Sequence, residues 1–261
     1  MPYTFATTLP DPNYKRDIYG RTDSSGTAGP GFAAIKLTSD EKMMVSRTNS
    51  QRVISRSAAG QKWMIDIKYN PMTRDEFEPV NTFLLQKRGP LTPFFVELPQ
   101  YKEPRNSAFS SSTHVNGFTS GVQSAGATSI TMGGPGGYTL KNAAGTTIST
   151  GNSNTTDLPT NIPSPGDVLT VTDSADSNHT KVYMVTYVET FYQYQEVKPH
   201  STNEGFIRVG INPPLTRAVS NGSSYTFKNV KFKVIKPKAL QEYELNTENL
   251  YSFGLRLEEY L

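Results

Sequence analysis

The side chains that could do chemistry are few and scattered. His114, His179 and His200 stand far apart in polar, turn-rich sequence, without the short spacing that sets two imidazoles on one metal ion. There is no cysteine, which removes thiolate nucleophiles, disulfides and cysteine zinc sites. Asp167, Asp173 and Asp176 lie close together, but not in the alternating pattern of oxygen ligands closed by a glutamate that a calcium loop requires, so they read as solvated turn carboxylates. Gly133-Gly134-Pro135-Gly136-Gly137 lacks the Gly-Lys-Ser/Thr ending and the following helix of a phosphate cradle, and reads as a hairpin tip. No Gly-x-Ser-x-Gly elbow is present, and no histidine accompanies a nucleophile. A glycosidase carboxylate pair depends on proximity in space, which the linear order does not display; a polysaccharide hydrolase is the remotest reading for that reason. Asn154-Thr155-Thr156, Asn178-His179-Thr180 and Asn221-Gly222-Ser223 match the glycosylation triplet as accidents of composition. The expectation is a protein with no catalytic residue, no cofactor and no metal.

Two basic groupings exceed background. Arg47, Arg52, Arg56 and Lys62 fall on an expected first hairpin, as intersubunit ion pairs or as a solvated face. Lys228, Lys231, Lys233, Lys236 and Lys238 punctuate Val230, Phe232, Val234 and Ile235, which places Lys231 and Lys233 on one strand face. They either guard an exposed strand edge or present a basic surface to an acidic neighbour or to DNA. The whole chain, 26 Lys and Arg against 23 Asp and Glu, is too near neutral for a dedicated nucleic-acid binder.

Those residues need elements to hold them. Over 261 residues, Gly 20 and Pro 18 with 35% hydrophobic side chains and a mean hydropathy of -0.50 speak for a turn-rich β protein, not a helical bundle. No apolar run reaches the length of a membrane span, and Met1-Pro2-Tyr3-Thr4-Phe5 does not resemble a signal peptide. Residues 1–44, with prolines and glycines throughout, read as an extended arm without a core. Its Tyr3, Phe5, Tyr14 and Tyr19 belong either to a loose terminus or to a strap packed on a neighbouring subunit. Order is expected from near Val45. Trp63, Ile65, Ile67 and Tyr69 alternate with Lys62, Asp66 and Lys68, the period of a half-buried strand, with Arg52–Arg56 as its antiparallel partner. Thr73 and Glu76 fit a capping box before Phe77, Val80 and Leu84, predicting a helix to about Arg88; Pro79 allows a later start at Glu78. Leu91–Leu98 reads as the next strand. The tail alternates again, with Tyr251, Phe253, Leu255 and Leu257 on one side, and needs the first sheet to join.

Between Asn106 and Thr180, Ser, Thr, Gly and Asn account for 43 of 75 residues, and Asp, Glu, Lys and Arg for only 5. Short strands at Thr128–Met132, Val168–Thr172, Val182–Val188 and Gly205–Ile211 would build a small barrel or sandwich, finished by Tyr225–Phe227 and Phe232–Val234. The expected fold is mainly β with one helix. A split domain of residues 45–105 plus 236–261 is interrupted by a turn-rich β insertion at 106–235.

Ser46-Arg47-Thr48, Gln61-Lys62-Trp63, Tyr69-Asn70-Pro71-Met72-Thr73-Arg74-Asp75-Glu76-Phe77, Phe83–Gly89 and Phe94-Phe95-Val96-Glu97-Leu98-Pro99 together resemble tail proteins of tailed bacteriophages, of the distal-tail or baseplate type. Pro165–Leu169, Val182–Val185 and Ile207–Leu215 look like the inserted β domain many such proteins carry. The resemblance implies a tube-like β domain and a virion tail protein made in the host bacterial cytoplasm. It implies a homo-oligomeric ring, hexameric, joining the tail tube to the tail tip or baseplate. DNA would meet it only passively through the lumen, and no membrane insertion is implied. A carbohydrate-binding module on a phage tip is the alternative function.

Overall fold

The computed structural model describes residues 6–17, 19–57, 60–110, 116–118, 121–132, 144–145, 159–173, 175–190, 207–239 and 242–261. The chain forms two compact units, Met1–Val96 with Lys233–Leu261, and Glu97–Phe232. The fold is mainly β, as its composition required.

In the first unit the elements are β1 (Phe32–Asp40), β2 (Met43–Arg47), β3 (Val53–Ser57), β4 (Lys62–Tyr69), α1 (Arg74–Lys87) and β5 (Phe94–Glu97). The five-stranded sheet has the order β1-β4-β15-β12-β5, where β12 is Lys231–Ile235 and β15 is Gly254–Glu259. The last strand pairs with β4, Leu255 opposite Ile67 and Leu257 opposite Ile65, so the alternating tail finds the sheet its pattern called for. One face buries Trp63, Ile65, Ile67, Leu255 and Leu257; the other carries Lys36, Asp66 and Arg256 side by side in register. The helix caps this unit's core with Phe77, Val80, Phe83 and Leu84. Phe77 meets Phe253 with ring centroids 5.8 Å apart, and Phe83 meets Phe94 edge-on at 5.2 Å. Of the two helix starts, the earlier holds. The Glu76 carboxylate accepts from the Thr73 amide at 2.9 Å and its hydroxyl at 3.1 Å, and Pro79 sits inside the helix.

Two expectations are corrected. The first segment is not free of a core: Ala6 and Leu9 are buried, the Leu9 amide donates to Phe95 O at 2.8 Å, and the Phe95 amide donates to Thr7 O at 2.8 Å. The arm thus covers the outer edge of β5, and Phe32–Asp40 is a full strand. The many prolines and glycines hid a short period in Ile35, Lys36, Leu37 and Thr38. Arg52–Arg56 is not the partner of Trp63–Tyr69 either. β3 pairs only with β2 among the described residues, and β4 lies between β1 and β15. Both pairings would close a short loop, so closure entropy does not choose between them; β4 is taken on its two sides by β1 and β15, which leaves β2 as the neighbour of β3.

The second unit holds β6 (Asn116–Phe118), β7 (Ser129–Met132), β8 (Val168–Thr172), β9 (Val182–Thr190), β10 (Ile207–Asn212) and β11 (Ser224–Thr226), in one sheet of order β6-β11-β8-β9-β10-β7. Among the described residues that sheet is not closed into a barrel. A short helix α2 (Ser107–Ser110) puts Phe109 against Phe227 at 5.2 Å, in a core with Leu169, Tyr183, Val209 and Tyr225. Back in the first unit, β13 (Glu244–Leu245) and β14 (Tyr251–Ser252) form a small hairpin before β15.

Candidate assembly surface

The β2–β3 hairpin exposes every described side chain on both strands. Its alternation places Met43, Val45, Arg47 and Val53 on one face and Met44, Ile54, Arg52 and Arg56 on the other. Met43, Met44, Val45, Val53 and Ile54 are each more than half exposed. Between Met43 and Ser57 there is no acidic residue, and Arg47, Arg52 and Arg56 make no ion pair with a described residue. A lone two-stranded hairpin is marginal in water, and this one has no core of its own.

Lys62 does not join that group. It stands on β4, and its ammonium bonds Glu258 at 2.6 Å on the outer face of the large sheet. Lys231 and Lys233 share that side of β12, which lies between β15 and β5; the edge-guarding account is therefore corrected, because the strand is interior. Lys233 Nζ rests 5.2 Å from the Tyr260 ring. An open groove of about 910 Å³ borders this face, lined by Lys68, Lys236, Lys238, Glu242, Arg256 and Glu258 among others. Burial pushes the Lys236 ammonium down, against the pull of Glu242. The two signs nearly balance there.

Of the aromatic arm, Tyr14 is half-buried and Tyr19 is exposed with the Arg21 guanidinium 4.9 Å over its ring. Tyr3, Phe5, His114, His200 and Gly133–Gly137 lie outside the described residues. What anchors the arm is a pair the sequence reading missed. Arg16 is buried, donating to Pro79 O at 3.0 Å and to Gly20 O at 2.6 Å, with its guanidinium 5.2 Å from the Phe83 ring. Lys87 donates to Ala6 O at 2.9 Å and stands 4.9 Å from the same ring. Burial, reinforced by Arg16, holds the Lys87 ammonium below its ordinary range. The available signal was a lysine on the buried stripe of a helix, one turn past Phe83 and Leu84; Arg16 had none.

A second missed feature is acidic. From Ala239 to Leu255 no Lys or Arg occurs, while Glu242, Glu244 and Glu248 do. Tyr243 and Leu245 are each 52% exposed there. Tyr243 leans on Phe77 at 5.0 Å and Tyr251 stacks on it at 4.6 Å, which fixes the β13–β14 hairpin over the start of α1.

The titratable groups of the second unit serve its fold. Asp167 accepts from the Arg105 amide at 2.9 Å and the Ser164 amide at 2.8 Å. The Asn178 amide and the Arg217 guanidinium hold Asp176 below the usual carboxylate range. His179 is buried with Nε2 2.8 Å from the Tyr183 hydroxyl, which accepts from the Thr216 amide at 3.1 Å. Burial pushes the imidazole down, opposed by Asp173 and Asp176. Nδ1 has no partner among the described residues; an unpaired lone pair costs less than an unpaired N–H, which puts the proton on Nε2. No group of His, Asp and Glu side chains among the described residues is arranged to hold a metal ion. No described helix is long and apolar enough to cross a membrane.

The described residues thus present a bare basic hairpin and a charged sheet face, while the titratable groups of the second unit are engaged in internal contacts. Residues 9–101 match the family model described as distal tail protein pb9, A domain, N-terminal. The match takes in 93 of the 261 residues and bears out, for that part of the chain, the likeness to phage distal tail proteins, a family of structural components of the virion tail. It also takes in residues 9–44, which the motif resemblance had not used. No curated protein matches the chain at a significant level.

Proposed function

We propose that the chain closes with copies of itself into a ring between the tail tube and the tail tip or baseplate, without cofactor or chemistry of its own. Six subunits is the number the family likeness implies. The observation that carries the reading is the edge of β1. Nine residues long, it pairs with β4 on one side and with no described strand on the other, while the opposite edge at β5 is already covered by the arm. An open strand of that length invites pairing with another chain, and closure into a ring satisfies it. The insertion then decorates the ring. Its aromatics Phe109, Tyr183, Tyr225, Phe227 and Phe232 are buried, while Tyr187 is exposed, so the buried five offer sugar stacking no platform. The test is particle mass and electron microscopy of the purified protein, together with mass spectrometry of tails. Rings of several subunits and presence in tails are expected; a single-chain mass at high micromolar concentration and absence from tails would overturn the proposal.

A further inference from the structure

The β2–β3 hairpin carries apolar groups and only basic charge; the segment around β13–β14 carries apolar groups and only acidic charge of its own, with Lys68, Lys236, Lys238 and Arg256 across the groove that Glu242 and Glu244 line. Both belong to the same unit, and both leave their apolar groups in water: Met43, Met44, Val45, Val53 and Ile54 on one, Tyr243 and Leu245 on the other. The hairpin arginines are not spent internally, and of the acidic set Glu242 alone acts on a described cation, Lys236. Arg47, Arg52 and Arg56 have no described ion-pair partner, and neither do Glu244 and Glu248. We infer that the β2–β3 hairpin of one copy docks on the β13–β14 hairpin of the next, Arg47, Arg52 and Arg56 facing Glu242, Glu244 and Glu248 across the paired apolar side chains. The inference rests on the ring reading and names the contact that would close it.

The physical case is complementarity of two kinds at once. Burying the exposed Met, Val, Ile, Tyr and Leu side chains supplies the attraction, since apolar area removed from water stabilises association roughly in proportion. The opposed charges set orientation and exclude the self-matched arrangement, because a basic hairpin against a basic hairpin is repulsive. The contact is therefore heterologous, one surface on a different surface, and contacts of that type generate rings when the rotation closes. Docking also gives the β2–β3 hairpin the third layer that a two-stranded ribbon lacks.

The test uses two full-length variants. One carries Arg47→Glu, Arg52→Glu and Arg56→Glu; the other carries Glu242→Lys, Glu244→Lys and Glu248→Lys. All six positions are exposed. Each variant alone brings like charges together and is expected to associate more than about a hundredfold more weakly than the parent chain. Mixed in equal amounts, they restore opposite charges at every junction if they alternate, and assemblies of parental mass are expected by native mass spectrometry. Recovery on mixing also shows that both variants are folded. Either variant assembling alone like the parent, or a mixture that stays at single-chain mass while the parent assembles, overturns the docking and leaves the ring reading standing. A parent chain that itself stays single overturns both.

Discussion

Replacing Arg16 with methionine should release the first thirty residues while leaving the rest of the unit folded. Arg16 makes two hydrogen bonds to carbonyls, on Pro79 and Gly20, and bonds from a charged group contribute about 1.5–3 kcal/mol each. Its position over Phe83 adds about 1 kcal/mol. Against this stands the cost of burying a guanidinium whose Nε finds no described partner, several kcal/mol that methionine does not incur. The net loss is about 2 kcal/mol, or about a thirtyfold rise in the population with the arm undocked. Hydrogen exchange reads this directly. The amides of Arg16 and Thr27, bonded to each other's carbonyls at 2.9 and 2.7 Å, and of Gly29, bonded to Asp11 O at 3.1 Å, should exchange about thirtyfold faster. Amides of β4 and α1 should hold their rates, and Tyr19→Ala, at an exposed ring, should change nothing. Arm amides that exchange at the parental rate in Arg16→Met would refute the latch. So would a uniform acceleration across the unit, which would mean that the arm is part of one cooperative core.

Two further outcomes follow from the same contacts. A Cβ on Gly29 would stand 2.5 Å from the Pro10 carbonyl carbon, and one on Gly26 2.2 Å from Arg16 O; both are backbone atoms that cannot swing aside. Gly26→Ala and Gly29→Ala should therefore each cost about 1–3 kcal/mol and expose the arm to protease, and an unchanged cleavage pattern would contradict the close approach. His179, held below the ordinary imidazole value of 6.5 by burial, is neutral in both folded and unfolded chains above that pH. Below it the unfolded chain takes up the proton first, so the insertion should lose stability as pH falls from about 6.5 toward the depressed folded value. Asp173, Asp176 and Arg217 are the charged groups acting on it. Urea titrations at pH 7.5 and 5.5 should show the loss in the parent and a smaller one in His179→Gln; equal slopes would count against a buried neutral imidazole.

The legible parts of this protein were those written in short periods. Trp63, Ile65, Ile67 and Tyr69 announced β4, the Thr73–Glu76 spacing announced the start of α1, and the tail's alternation announced a strand needing a sheet. Family motifs between Ser46 and Pro99 announced the tail-protein class. The arm was opaque because Thr7 and Leu9 are held by backbone pairing to Phe95, and backbone hydrogen bonds leave no side-chain pattern. Arg47, Arg52 and Arg56 stood out as candidate contacts from the start, yet which strand they accompany was not readable, since Arg52–Arg56 could pair backward to Met43–Arg47 or forward to β4.

Sequence alone decided which residues must leave water and with what local geometry, because side-chain period and capping act over a few neighbouring positions. Only the tertiary structure decided which strands meet, that the arm seals the β5 edge while β1 has no second neighbour among the described strands, and that Lys62 is paired in cis while the hairpin arginines have no described ion-pair partner. Those outcomes depend on contacts between residues far apart in the chain, such as Lys62 with Glu258 and Arg16 with Pro79, whose partners are chosen by packing and not by spacing.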